Sequence, residues 1–141
     1  MEIKLQLTKG DAHNLHDIPY RESACSLLFI ARYTRPDIIF AVTLICTFLT
    51  KYTDVHWKAA KRLLCYTAST AYRVLFYTRN LKAPVLELYK DSDWGRDQID
   101  GGSTSGVLLL LYGNPVAWST EKQTHLALSM SEAYHIASLP V

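Results

Sequence analysis

Apolar positions recur at helical spacing through the first half of the chain and at strand spacing through the second. Ala24, Leu27, Leu28 and Ala31 form one stripe, which predicts a helix opening at Tyr20. Pro36 can only start the next helix, and Asp37 in its first turn suits the positive end of the helix dipole. That second helix is expected to run through Ile38, Ala41, Val42, Ile45 and Leu49. Thr53 and Asp54 are capping residues for a third. Trp57, Ala60, Leu63 and Leu64 give this third helix an apolar face, and Lys58, Lys61 and Arg62 share the other side. Short links between the three predict a small helical bundle over residues 20–72. Ahead of it, residues 1–19, with Gly10, Asp11, Asn14 and Pro19, read as a loose lead-in.

After Ser69-Thr70 the period changes. Val74 to Tyr77 and Val85 to Tyr89 are rich in strand formers. Asp91-Ser92-Asp93-Trp94-Gly95 reads as an acidic turn that follows a strand end. Val107 to Tyr112 is a further strand, Gly113-Asn114 a two-residue hairpin signal, and Pro115 to Ser119 the returning partner. Pro115 can stand only at the start of that strand or on an edge. Ser129-Met130-Ser131-Glu132 opens a last helix with the spacing of a capping box. The expected class is α+β, a helical bundle followed by an antiparallel sheet with one helix over residues 73–141.

Composition fits a globular chain, with 49% apolar and 20% charged residues in 141. Residues 1–19 are polar and mixed in charge, which is not the pattern of a signal peptide. The longest apolar run, Val107 to Tyr112, is far short of a bilayer span, so no membrane partner is expected. Cys25, Cys46 and Cys65 have no zinc spacing and no CxxC, and read as reduced thiols of an intracellular protein, cytoplasmic or nuclear. Charge adds more. The net +2 hides +7 over residues 20–82 and −4 over residues 83–141. A basic segment followed by an acidic one points to a polyanion surface beside a carboxylate cluster; two solvated surfaces of opposite sign are the alternative.

Asp91 and Asp93 have the D-x-D spacing of a metal site, since Mg²⁺ takes hard oxygen ligands, and equally of a turn. A longer series of residues decides the context. Tyr20-Arg21 with Ser26-Leu27-Leu28, Thr34-Arg35-Pro36-Asp37-Ile38, His56-Trp57-Lys58-Ala59-Ala60-Lys61-Arg62, Asp91-Ser92-Asp93-Trp94-Gly95, Ser103-Thr104-Ser105-Gly106 and Gly113-Asn114-Pro115 occur in that order. This series resembles the C-terminal part of a copia-type retrotransposon Pol polyprotein. The resemblance implies that the helices end a reverse transcriptase as its thumb or connection. It implies that the strands begin a truncated ribonuclease H-like domain, whose family cuts the RNA of an RNA/DNA hybrid.

What the resemblance implies for sites is specific. Arg32, Arg35, Lys58, Lys61 and Arg62 become candidate phosphate contacts that would position a duplex without reading sequence, against the alternative of a solvated helix face. Trp57 and Trp118 read as core aromatics rather than stacking platforms, and His56 as a helix-start residue rather than a ligand or base. Family chemistry uses two Mg²⁺ ions held by four carboxylates from the first strand, the first helix and two later elements. Asp91 matches the first acid. The second lies in the pattern S-x-x-E-A-E-Y, and here the run is Ser129-Met130-Ser131-Glu132-Ala133-Tyr134-His135, so Tyr134 occupies the ligand position. Glu132 is no substitute, because two residues are about 200° of helical rotation and the capping box gives it another role. A neutral phenol is a poor Mg²⁺ ligand. The matches for the third and fourth acids are not found in the chain.

Three readings follow. The first is an inactive fragment of a retrotransposon polyprotein, with Asp91 the one retained acid and Mg²⁺ not stably bound. The second is a non-catalytic, sequence-independent module that binds RNA/DNA hybrid or other duplex through its basic helices. The third is a subunit completed by a partner chain. An open sheet edge also offers a route to self-association.

Overall fold

The computed structural model describes residues 18–93 and 103–123, together with Ser131. It contains α1 (Tyr20–Tyr33), a 3₁₀ turn (Pro36–Ile38), α2 (Ile39–Cys46), α3 (Asp54–Ser69), β1 (Leu86–Asp93), β2 (Thr104–Leu111) and β3 (Asn114–Lys122). The class is α+β. The chain divides into two compact units between Val74 and Leu75.

The helical unit is built around small and aliphatic residues. Ala24, Leu27 and Ala31 of α1, Ile38, Val42 and Ile45 of the second segment, Phe48 and Ala60 are buried together with Tyr20. The three alanines let helix backbones approach closely, and Leu28 of the expected stripe is only half-buried. Tyr20 ties the start of α1 to the end of α2. Its hydroxyl donates to the Ile45 carbonyl at 2.8 Å, and its ring stacks on Tyr52 with centroids 4.5 Å apart. Burial, then the neighbouring Cys46, pushes its pKa up to about 12, so the hydroxyl is a neutral donor.

Two helix ends depart from the pattern read in the sequence. Pro36 opens a 3₁₀ turn rather than an α-helix, and α2 stops at Cys46 rather than running on to Leu49. The i−3 carbonyls of Leu44, Ile45 and Cys46 take the N–H groups of Thr47, Phe48 and Leu49, so the chain tightens and turns Phe48 into the core. At α3 the cap expected at Thr53 is present, and His56 completes the box from N3.

The sheet is antiparallel in the order β1-β2-β3. Its strands form because Leu86 to Tyr89 and Val107 to Leu111 are strand formers held in a hairpin register. Three details correct the sequence reading. Val74 to Tyr77 is not a strand: it has the propensity but no ladder, and Phe76 is fully solvated on one side. The neighbouring Thr78 is held instead by one side chain, since its N–H donates to Asn114 Oδ1 at 2.8 Å and its carbonyl accepts from Asn114 Nδ2 at 2.9 Å. Asp91 to Asp93 is not a turn, because β1 continues through both acids against Thr104, Ser105 and Gly106.

The hairpin turn is Tyr112-Gly113 rather than Gly113-Asn114, with Leu111 paired to Asn114. Both turn residues have positive φ, 49° at Tyr112 and 75° at Gly113, as a type I′ turn requires. Pro115 sits where expected, at the start of an edge strand, beside a register shift between Leu109 and Leu110 that leaves Val116 as the extra residue. Tyrosine is poorly suited to the left-handed region, and asparagine tolerates it. Tyr112→Asn is therefore expected to stabilise the strand unit by about 0.5–1 kcal/mol, read as a higher urea midpoint at unchanged slope.

Candidate nucleic-acid interface and the Asp91 strand

The five predicted basic residues fall into three situations. Lys58, Lys61 and Arg62 share one exposed face of α3, at i, i+3 and i+4. None of the three makes an ion pair to a described residue, and Lys61 Nζ lies 5.6 Å from the Trp57 ring centroid in a cation–π contact. Trp57 is half-buried rather than a core residue, so its ring is both a wall for the helix and a seat for that ammonium. Arg32 is exposed in the last turn of α1, where a cation suits the negative end of the helix dipole.

Arg35 is different, and its place corrects the reading of it as a surface phosphate contact. It is 7% exposed. Nε and Nη2 donate to the two oxygens of Asp37, both at 2.8 Å, in a forked pair. Nη2 also donates to Thr70 Oγ1 at 2.8 Å, and Nη1 to the Thr70 carbonyl at 3.2 Å. Its guanidinium carbon lies 5.5 Å from the Tyr66 ring centroid, and the Tyr66 hydroxyl donates to Asp37 Oδ2 at 3.0 Å. The hydrogen bonds from Arg35, ahead of the one from Tyr66, hold the Asp37 carboxyl below the usual carboxylate range. Thr70 caps α3, where a glycine is the usual terminator, and its carbonyl accepts from both Arg35 and the Arg73 N–H, the latter at 3.0 Å. Sequence reasoning missed this clasp. The forked spacing Arg35-x-Asp37 was the available signal, but its third member lies 35 residues away.

His56 is a helix-start residue, as expected. Nδ1 accepts the Thr53 N–H at 3.0 Å and lies 2.7 Å from Thr53 Oγ1. The ring is 1% exposed and packs on Phe48 with centroids 4.3 Å apart. Nδ1 as acceptor puts the proton of the neutral ring on Nε2, which has no hydrogen-bond partner among the described residues. Burial alone lowers its pKa, so the ring is neutral at neutral pH.

Asp91 lies inside β1, paired across the ladder with Gly106, and is exposed. Its Oδ1 accepts the N–H of Ser92 at 2.8 Å. Opposite it, Gly106 leaves open space, because a Cβ there would meet no atom within 4 Å. Among the described residues no three His, Cys, Asp or Glu side chains lie together to hold a metal. Mg²⁺ needs several hard oxygens, and one oxygen of the Asp91 carboxylate accepts a hydrogen bond. Glu132, Tyr134 and the expected cap at Ser129 lie outside the described residues; Ser131 is helical. No described helix is long and apolar enough to cross a membrane.

Several known proteins are similar to this chain. It is 35% identical over 123 residues to secreted RxLR effector protein 161 of Plasmopara viticola, covering 87% of this chain and 86% of that protein. It is 37% identical over 114 residues to the retrovirus-related Pol polyprotein from transposon RE2 of Arabidopsis thaliana, covering 81% of this chain and 8% of the polyprotein. It is 33% identical over 131 residues to that from transposon TNT 1-94 of Nicotiana tabacum, covering 93% of this chain and 10% of the polyprotein. The chain therefore spans a tenth or less of the polyproteins it matches. No protein-family model and no solved structure matches it.

Proposed function

Because this chain belongs to the retrotransposon Pol polyprotein family, we propose that it corresponds to the end of the reverse transcriptase and the start of the ribonuclease H domain, without hybrid-cleaving activity of its own. The observation that carries the proposal is Tyr134 at the position where the family pattern places the second metal-binding carboxylate. Asp91 supports the assignment of β1 as the first strand of a ribonuclease H sheet, exposed and opposite a glycine. One carboxylate cannot hold the ion pair that activates water on one side of a phosphate and steadies the leaving oxygen on the other. A purified chain incubated with RNA/DNA hybrid and Mg²⁺ is expected to leave the hybrid intact, and Asp91→Asn to change nothing. Mg²⁺-dependent turnover that Asp91→Asn abolishes would overturn the proposal.

A second reading is favoured by the α3 face. Three cations at one side of a helix, with no acid pairing them among the described residues, suit a phosphate backbone. On this reading the chain grips duplex nucleic acid through Lys58, Lys61 and Arg62, with Arg32 as a further contact on another helix. Arg35 takes no part, because its donors are committed to Asp37 and Thr70. Such a grip positions a duplex and does not discriminate its sequence.

A further inference from the structure

The thiols have no part in either reading. Cys25 and Cys65 are exposed, and Cys46 is half-buried. Cys46 is the last residue of α2, and its Sγ donates to the Ala24 carbonyl oxygen at 3.8 Å. That carbonyl belongs to the peptide bond joining Ala24 to Cys25. Standard backbone dimensions then bring the Cys46 sulfur within about 7 Å of the Cys25 Cα. Burial, then the charge of a Cys25 thiolate, pushes the Cys46 thiol up, while Arg32 pulls it back. The structure thus puts a solvent-facing thiol on α1 beside a shielded one on α2.

Cys46 ends its helix, and the chain beyond it continues in i−3 turns. A bridge needs Cα atoms of roughly 4.4–6.8 Å separation. Cys65 lies on α3, a different helix, and is exposed. It serves as the internal comparison.

We propose that Cys25 and Cys46 are an oxidant-responsive thiol pair that closes into a reversible intramolecular disulfide linking α1 to α2. The co-reactant is a hydroperoxide. The Cys25 thiolate attacks one peroxide oxygen, the O–O bond breaks, and Cys25 becomes a sulfenic acid while the peroxide leaves as water or an alcohol. The Cys46 thiolate then attacks the Cys25 sulfur, the S–S bond forms, and hydroxide leaves and takes up a proton as water. Two thiols are oxidised by two electrons, and one peroxide is reduced. Exposure assigns Cys25 the first step and Cys46 the second.

The test uses the full chain and hydrogen peroxide, with alkylation and intact-mass and peptide mass spectrometry. Free thiols are expected to fall from three to one, the mass to drop by about 2 Da, and one linked peptide pair to join Cys25 to Cys46, all reversed by dithiothreitol. Cys65→Ser should behave as the parent. Cys25→Ser should lose the linkage and keep both remaining thiols apart. Because Cys25 is exposed, this variant tests the pair even where Cys46→Ser disturbs packing. A link to Cys65, a link only between two chains, or over-oxidation of Cys25 to the sulfinic acid with Cys46 still reduced would each overturn the proposal.

Discussion

Replacing Arg35 by alanine is expected to destabilise the helical unit by about 2–4 kcal/mol, more than any surface substitution in the chain. The side chain joins the loop after α1 and, two residues on, the first turn of the next segment to the C-terminus of α3, 35 residues away. Removing it takes the side-chain donor from the Thr70 carbonyl, which keeps only the Arg73 N–H at 3.0 Å, and strips Asp37 of its forked cation while the Tyr66 hydroxyl still donates. The loss is held to about 4 kcal/mol because Asp37 is 37% exposed, so water screens part of the pair. Arg35→Lys should recover less than half of the loss, because one ammonium cannot match the carboxylate fork and reach Thr70 as well. The measurement is urea unfolding followed by helical circular dichroism. A loss below about 0.5 kcal/mol would show that the clasp is not structural.

The pH dependence of the same unfolding gives an internal check. The folded pKa of Asp37 lies below its unfolded value, so its contribution is complete above the ordinary carboxylate pKa, about 4, and is lost as pH falls through the folded value. His56 acts in a higher window. Its folded pKa is also lowered, so protons favour the unfolded chain, and the stability present above about 6.5 declines as pH falls below it. The parent should therefore weaken in two steps on acidification. Arg35→Ala should flatten the lower step and leave the upper one in place.

These effects mark where sequence reading succeeded and failed. The spacing of Ala24, Leu27 and Ala31 and the cap at Thr53 are local signals, and α1 and α3 form where they point. Arg35 was counted among the surface cations because charge totals do not distinguish a solvated guanidinium from one folded into a clasp. Only the return of Thr70 to the same place makes that distinction. Val74 to Tyr77 shows the opposite failure. Its residues prefer strands, yet a strand needs a ladder, and Asn114 supplies only a two-bond imitation of one at Thr78. The turn was misplaced by one residue because Asn-Gly preference was applied in the wrong order. Gly113 is the second turn residue, and Asn114 closes the hairpin by donating to the Leu111 and Tyr112 carbonyls. Asp91 was read into a turn after a strand end, because the length of β1 depends on pairing with Thr104 to Gly106, which no local signal shows.

Charge reversal of the α3 face has the largest expected effect on binding. If Lys58, Lys61 and Arg62 each neutralise one phosphate, the logarithm of affinity for duplex falls with the logarithm of salt at a slope of about −2.7. That slope costs roughly 40-fold in affinity between 50 and 200 mM salt. Combined K58E, K61E and R62E would remove those contacts and set three carboxylates against the backbone, so affinity at low salt should fall by about 100-fold or more. Single neutral replacements should each reduce the slope by about 0.9 and act equally on duplexes of different sequence. All three side chains are exposed, so the variants should keep the parent's urea midpoint, which separates lost binding from lost fold. Arg35 must be left intact in this experiment, since its removal would weaken α3 itself. Fluorescence anisotropy with a labelled duplex, run across the salt range without Mg²⁺, reads the grip independently of any cleavage. An affinity that stays flat with salt, or that survives the triple reversal, would remove the duplex from the α3 face and leave its cations as an ordinary solvated helix surface.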